Sequence, residues 1–239
     1  WLPYNIGFVD RIDIRIFSTL KLKEQLAQQY DDNAIKKSLY ERLLFIDNAI
    51  DIPQASVTEN EQLEVVFVGR GAPQKRIHLI ASIAQMIHAA GDKIHFSFVG
   101  DVEKVINPAD LPFCKFYGNV NDERLMDKIY RQSDVLILTS AFEGLPIVVM
   151  TMMAYGKIVL STAVNGIPDY IEHMKNGLLI YETEEIEIVN KGVELLRLLL
   201  LQPDLKITLG KKNREVAIEK FSRAIFCKHY RGILVDKKK

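Results

Sequence analysis

Residues 134–156 read DVLILTSAFEGLPIVVMTMMAYG, and this stretch decides the fold. It begins with Val135–Leu138, a short run of branched apolar residues that is typical of a buried strand. A loop containing Glu-Gly-Leu-Pro comes next, and almost every later residue is apolar until Gly156. Because Pro146 suits the first turn of a helix and glycine suits its end, the stretch predicts a strand, a tight loop and a buried helix.

The loop between this strand and helix is a candidate binding site. A helix N-terminus has free N–H groups and a partial positive charge, so it favours an anion. Glu143 lies at the same point, and two interpretations are open. The carboxylate caps the helix, or it binds hydroxyl groups of a ligand whose anionic part lies on the loop amides. A sugar attached to a diphosphate has both kinds of group.

A second loop carries two positive charges. Glu64–Val68 predicts a buried strand, and the loop GRGAPQKR leads from it into an apolar helix. Two glycines match the start of the dinucleotide-binding fingerprint, but Gln74 stands at its third glycine. Arg70 and Lys75 are suited to binding phosphate oxygens, and two solvated surface charges are the alternative. For Arg76 we predict only a surface charge.

Strands and helices alternate from Glu64 to Tyr181. Strands are predicted at residues 64–68, 93–99, 113–117, 135–138 and 158–161, with a final strand after the Asn-Gly turn at 176–177. This alternation predicts an α/β fold with a doubly wound, mainly parallel, Rossmann-like sheet. Ligands bind such sheets at the carboxyl ends of the strands, where Arg70, Lys75 and Glu143 all lie, so we expect one shared cleft.

The composition limits the classes of protein. The chain has 239 residues, 31 basic and 31 acidic side chains, and 48% hydrophobic residues, which is enough for one domain and part of a second. A net charge of zero argues against nucleic-acid binding, which needs a basic excess. Two distant cysteines without metal-ligand spacing are typical of a cytoplasmic protein. The chain begins with Trp1 and has no signal peptide, so we expect a fragment of a longer protein.

These motifs resemble, in this order, those of the retaining glycosyltransferases of family 4, which have the GT-B fold. The central stretch is similar to the family pattern Ser-x-x-Glu-Gly-x-Pro followed by Glu-Ala-Met-Ala-x-Gly. It matches at Ser140, Glu143, Gly144, Pro146, Met153-Ala154 and Gly156. The resemblance covers roughly residues 40–235. One departure stands out: the family's second glutamate, which holds the ribose, falls on Thr151.

The resemblance implies transfer of a hexose from a nucleotide-diphosphate sugar, with retention of configuration and with neither an obligatory metal nor another cofactor. Arg70 and Lys75 would stabilise the charge on the leaving diphosphate, and Glu143 would orient the donor sugar. These three are the expected catalytic residues. The other expected donor-binding residues are Gly69, Gly71, Gly100, Asp101, Asn119, Val120, Phe142, Gly144, Leu145, Pro146 and Thr151.

The resemblance also divides the chain. Residues 1–53 would be a remnant of the N-terminal acceptor domain with its hinge, and a plain strand–helix–strand edge is the alternative. Residues 54–220 would form the donor-binding domain, and residues 221–239 a C-terminal helix that crosses back towards the acceptor domain. A glycan or a lipid-linked acceptor would bind through the missing N-terminal domain.

Three further hypotheses remain open. Thr151 in place of a carboxylate is consistent with a non-catalytic nucleotide-sugar-binding or scaffold module. A nicotinamide-dependent oxidoreductase is another hypothesis, with Gln74 and the two cations arguing against it. The basic residues of a predicted helix over 205–221 suit contact with an anionic membrane, and an ordinary solvated helix face is the alternative. We therefore expect a cytoplasmic protein, with membrane association as a second prediction.

Overall fold

The computed structural model describes residues 8–18, 20–33, 35, 37–54 and 60–236. The sequence also predicts a helix cap at Ser18 or Thr19 and a polar linker over 54–62, of which Thr19 and residues 55–59 lie outside the described residues. The chain divides into two compact units, Ile50–Glu219 and a smaller one made of Trp1–Ala49 with Lys220–Lys239. The roles that we predict for the parts of the chain remain predictions.

The smaller unit contains a two-stranded parallel sheet and an amphipathic helix. Its elements are β1 (Arg15–Phe17), α1 (Leu20–Asp32), β2 (Leu43–Phe45) and, near the end of the chain, α7 (Arg223–Asp236). Leu26 and Tyr30 of α1 are buried against Leu43 of β2, together with Val9 and Leu39. This small core accounts for the apolar spacing in the first part of the chain.

The larger unit is built on a six-stranded parallel sheet. Its strands are β3 (Leu63–Val68), β4 (Ile94–Val99), β5 (Lys115–Phe116), β6 (Val135–Leu138), β7 (Ile158–Thr162) and β8 (Leu178–Ile180). Its helices are α2 (Ile77–Ala90), α3 (Glu123–Gln132), α4 (Ile147–Ala154), α5 (Glu185–Leu201) and α6 (Pro203–Phe221). The predicted doubly wound α/β sheet is confirmed.

The burial of the strands explains why their apolar sequence pattern could be recognised. All residues of β6, β7 and β8 are buried, as expected for parallel strands covered on both faces. The edge strand β5 is shorter than predicted, because only Lys115 and Phe116 pair with β4. Helix α4 begins at Ile147, so Pro146 is its N-cap residue rather than part of its first turn.

The sheet has a topological switch point between β3 and β6. The strand order is β5-β4-β3-β6-β7-β8, so the chain first runs outward from β3 to β5 and then returns to β6. Connections leave β3 and β6 in opposite directions, which opens a crevice at the carboxyl ends of these two strands. The loops with Lys75 and Glu143 follow these strands directly.

Two basic residues of α6 bind groups elsewhere in the larger unit. Lys206 Nζ lies 3.0 Å from Asp134 Oδ1, and Arg214 donates to the carbonyl oxygens of Ala154 and Pro53. The basic face therefore serves internal packing in part, which reduces the support for membrane contact. Over the residues that the structure describes, no helix combines the length and apolar character that crossing a bilayer requires.

Candidate functional site

The loop after β3 packs directly on the end of β4. A Cβ on Gly71 would overlap the carbonyl oxygen of Asp101, and one on Gly100, whose φ is +117°, would overlap that of Gly69. Asp101 Oδ1 accepts a hydrogen bond from the Gly71 N–H at 2.8 Å. Lys104 and this N–H together lower the pKa of the Asp101 carboxyl to about 2. The predicted ligand residue Asp101 therefore holds the glycine-rich loop.

Lys75 and Glu143 form an ion pair at the crevice. Lys75 Nζ donates to Glu143 Oε1, which also accepts from Ser140 Oγ at 2.7 Å. The two charged side chains are 14% and 8% exposed. Pro146 is the N-cap of α4, and no side chain caps that helix, so the helix-cap interpretation of Glu143 is wrong. The structure thus brings together two predicted catalytic residues that lie 68 positions apart.

Arg76 contradicts the prediction of a mere surface charge. Its Nε donates to the Thr139 carbonyl at 2.7 Å, and its Nη2 donates to the Ser140 carbonyl at 3.1 Å. The residue has a left-handed backbone with φ +46°, which costs a residue with a Cβ about 1–3 kcal/mol. No sequence pattern marked this side chain, because it resembles the exposed arginines found at many loop ends.

The loop after β6 offers main-chain donors beside Glu143. Within the described residues, the N–H groups of Gly144, Leu145 and Ile147 have no hydrogen-bond partner. They lie at the N-terminus of α4, where the helix dipole favours negative charge. The loop after β7 packs close by, since a Cβ on Gly166 would lie 3.0 Å from the Gly144 carbonyl oxygen. These donors suit an anion such as a phosphate.

Arg70 and Thr151, two further predicted ligand residues, differ in their environments. Arg70 is exposed, and its guanidinium makes no hydrogen bond or ion pair within the part of the chain that is described. Thr151 Oγ1 donates to the Ile147 carbonyl at 2.9 Å, one turn earlier in α4. Its hydroxyl therefore has its donor engaged, as is common for threonine inside helices.

The remaining predicted residues lie along the same edge of the sheet. Asn119 is exposed and Val120 is half-buried. Both follow Gly118, whose carbonyl accepts from the Gly100 N–H at 2.8 Å. Phe142 is 54% exposed beside Glu143. Leu145 and Pro146 are half-buried. In the described ranges, no three His, Cys, Asp or Glu side chains group together as ligands of a metal ion would.

Comparison with known families shows to which family this chain belongs. The sequence profile of the family described as "Glycosyl transferases group 1" matches residues 49–216, more than half of the chain. The chain belongs to this glycosyltransferase family. This membership argues against the nicotinamide-dependent hypothesis and confirms the expected resemblance.

Two curated relatives are similar over most of this chain. An uncharacterized glycosyltransferase of Haemophilus influenzae is 26% identical over 214 residues, 83% of this chain and 58% of the relative. The poly(ribitol-phosphate) alpha-N-acetylglucosaminyltransferase of Staphylococcus aureus is 26% identical over 192 residues, 76% of this chain and 37% of the relative. The chain therefore spans little more than half the length of these relatives, or less.

Two solved structures have the same fold. S. aureus TarM matches with a TM-score of 0.79 and 22% identity, over 96% of this chain and 45% of TarM. Anabaena HepE in complex with UDP-glucose matches with a TM-score of 0.74 and 17% identity, over 97% of this chain and 66% of HepE. The GT-B relationship that the motifs predicted is thus confirmed for the fold.

Proposed function

We propose that this chain is the donor-binding part of a retaining, metal-independent hexosyltransferase that uses a nucleotide-diphosphate sugar. The observation that carries the proposal is the Lys75–Glu143 pair at the switch point, beside the unpaired N–H groups of the loop after β6. This arrangement offers positive charge and a carboxylate side by side. A ligand with a diphosphate next to sugar hydroxyl groups matches both.

The charges divide the proposed roles. A carboxylate repels phosphate oxygens, so Glu143 faces the sugar and accepts hydrogen bonds from its hydroxyl groups. Lys75, Arg70 and the loop N–H groups meet the diphosphate. As the bond to the sugar breaks, negative charge grows on the leaving diphosphate, and these preorganised donors stabilise it electrostatically.

The acceptor side of the proposal rests on the parts of the chain outside the main sheet. Residues 1–53 are proposed to belong to an acceptor domain, and residues 221–239 to a helix that crosses back to it. The acceptor is proposed to be a glycan or a lipid-linked molecule, used in the cytoplasm. Membrane association stays a weaker proposal, because Lys206 and Arg214 bind groups of the protein.

The direct test is nucleotide binding. UDP, the nucleotide of the HepE complex, is the first ligand to measure, with GDP and ADP as comparisons. A ligand at a hundred times its Kd stabilises by about 2.7 kcal/mol, which raises the unfolding midpoint by roughly 5–10 °C. We expect a shift with one base and a much smaller one after Arg70→Ala. Lys211→Ala, at an exposed lysine of α6, is the control. A flat response to all three nucleotides contradicts the proposal.

A non-catalytic binding module is the second candidate. It is favoured by Thr151, which lacks a carboxylate and bonds to its own helix through its hydroxyl. Nucleotide binding alone does not distinguish this candidate from an enzyme. Sugar transfer by the full-length protein does, since a module binds the donor and leaves it intact.

A further inference from the structure

We infer that Arg76 is a positioning residue that holds the loop after β3 against the loop after β6 and so sets the geometry of the Lys75–Glu143 pair. The inference rests on the proposed function only where it concerns donor binding, because the contacts of Arg76 are there whether or not a donor binds. Arg76 follows Lys75 directly in the chain, and its two acceptors lie just before Glu143.

The two loops are joined in both directions. Arg76 donates to the carbonyls of Thr139 and Ser140. The single hydroxyl proton of Thr139 is shared between the Arg76 carbonyl at 2.9 Å and the Lys75 carbonyl at 3.1 Å. The Ala141 N–H adds a bond to the Gln74 carbonyl at 2.8 Å. The side chain of Arg76 supplies the charged donors in this set, and such bonds are stronger than neutral ones.

The Ser140 carbonyl is held from a second side. Thr162 Oγ1, at the end of β7, donates to it at 2.7 Å. With Arg76 Nη2 on the other side, both lone pairs of this oxygen are used. Ser140 is also the residue whose hydroxyl donates to Glu143. Arg76 therefore acts on the carboxylate through the backbone of Ser140.

The backbone of Arg76 supports a role for its side chain. Its φ of +46° is a conformation that glycine adopts without strain. Arginine keeps it here because the guanidinium reaches across to the neighbouring loop. A strained residue held by its surroundings is common where geometry serves function.

The test removes the side chain but keeps the backbone conformation. Arg76→Gly loses both donors, and Met174→Gly is the matched control, because Met174 is left-handed too, with φ +63°, and lies outside the site. In each variant we would measure the rate of reductive methylation of individual lysines by mass spectrometry. Lys157, which is 6% exposed and donates to the Arg131 carbonyl, reports on the fold as a whole.

We expect Arg76→Gly to raise the labelling rate of Lys75 by about tenfold, a change of roughly 1.4 kcal/mol, with Lys157 unchanged. Met174→Gly should leave both rates as they are. An unchanged Lys75 rate in Arg76→Gly overturns the inference. A parallel rise at Lys75 and Lys157 also overturns it, since Arg76 would then only stabilise the fold.

UDP binding by calorimetry links the geometry to the proposed function. We expect Arg76→Gly to weaken UDP binding by about tenfold, while Met174→Gly binds like the unaltered protein. If the unaltered protein binds no UDP, the proposed donor site fails, and the labelling rates still decide the positioning role. If the Lys75 labelling rate rises but UDP affinity does not fall, the positioning role of Arg76 is supported, and the proposed contact between the Lys75–Glu143 pair and the nucleotide is contradicted.

Discussion

Lys75 and Glu143 are charged side chains that are both largely shielded from water. Because each side chain is largely buried, removing one partner leaves the other charge without compensation. We expect Lys75→Met to lower the free energy of unfolding by about 3 kcal/mol, measured by urea denaturation. The double variant Lys75→Met with Glu143→Gln should recover most of this loss, since it removes both charges.

The same two variants should affect nucleotide binding differently from stability. Both the single and the double variant lack the ammonium, so we expect UDP affinity to fall in both. Restored affinity in the stable double variant would show that Lys75 does not contact the nucleotide. Equal stability of the single variant and the unaltered protein would show that the ion pair is open to water.

Thr151 can be tested by restoring the family's carboxylate. The family resemblance implies that the ribose lies beside this position, so Thr151→Glu should tighten UDP binding by about tenfold. Thr151→Gln has the same length without the charge and serves as the control. If neither variant changes the affinity measured by calorimetry, Thr151 does not face the ribose.

Among the structural elements, the ends of β3 and β4 depend on contact between their backbones. Gly100→Ala would add a methyl group that overlaps the Gly69 carbonyl, at a φ of +117°. We expect it to cost about 3 kcal/mol or more in urea unfolding. Gly91→Ala is the matched control, because Gly91 is also left-handed but has open space around it. It should lower the free energy of unfolding by about 1–2 kcal/mol. If the two variants lose similar amounts of stability, the left-handed backbone sets the cost and the overlap with the Gly69 carbonyl adds little.

The same two strand ends predict a dependence on pH. Lys104 and the Gly71 N–H lower the pKa of Asp101 from its ordinary 3.8 to about 2. The folded state binds this proton less readily than the unfolded chain, so the carboxylate contributes stability above about pH 4 that is lost as the pH falls towards 2. Asp101→Asn keeps an acceptor for Gly71 and removes the titration.

Urea unfolding at several pH values between 5 and 2 measures this contribution. The unaltered protein should lose more stability over this range than Asp101→Asn does. Asp110→Asn, at an exposed acid in the turn Pro108–Asp110, is the control. The same slope for the unaltered protein and Asp101→Asn would mean that the carboxylate does not hold the loop.

For the whole molecule, the proposal separates donor binding from transfer. The described sheet carries the donor groups, whereas the acceptor is proposed to bind a domain of which residues 1–53 are a remnant. We therefore expect this chain by itself to bind UDP but to transfer no sugar from UDP-glucose to a glycan or lipid-linked acceptor. Release of UDP that depends on an added acceptor would contradict this expectation.

Much of the architecture could be predicted because burial leaves a local pattern. The runs of branched residues in β3, β6 and β7 and the glycine after α4 each follow from the preferences of neighbouring residues. Once strands and helices alternate, a parallel sheet follows, and residues at strand ends fall on one edge. Arg70, Lys75 and Glu143 were therefore expected to share one cleft because each follows a strand.

The tertiary structure alone decided which of these groups touch. Because β3 and β6 are neighbours in the sheet, Lys75 lies against Glu143. Their loops also pack together, so the Arg76 side chain binds a carbonyl of the other loop instead of lying free on the surface. It also showed that Thr151 bonds to its own helix. The sequence by itself determined the sheet, because strands and helices depend on local burial and spacing, and the resemblance of its motifs indicated the family and the candidate residues. The partners of the charged side chains depend on contacts between distant segments, which a local pattern does not contain.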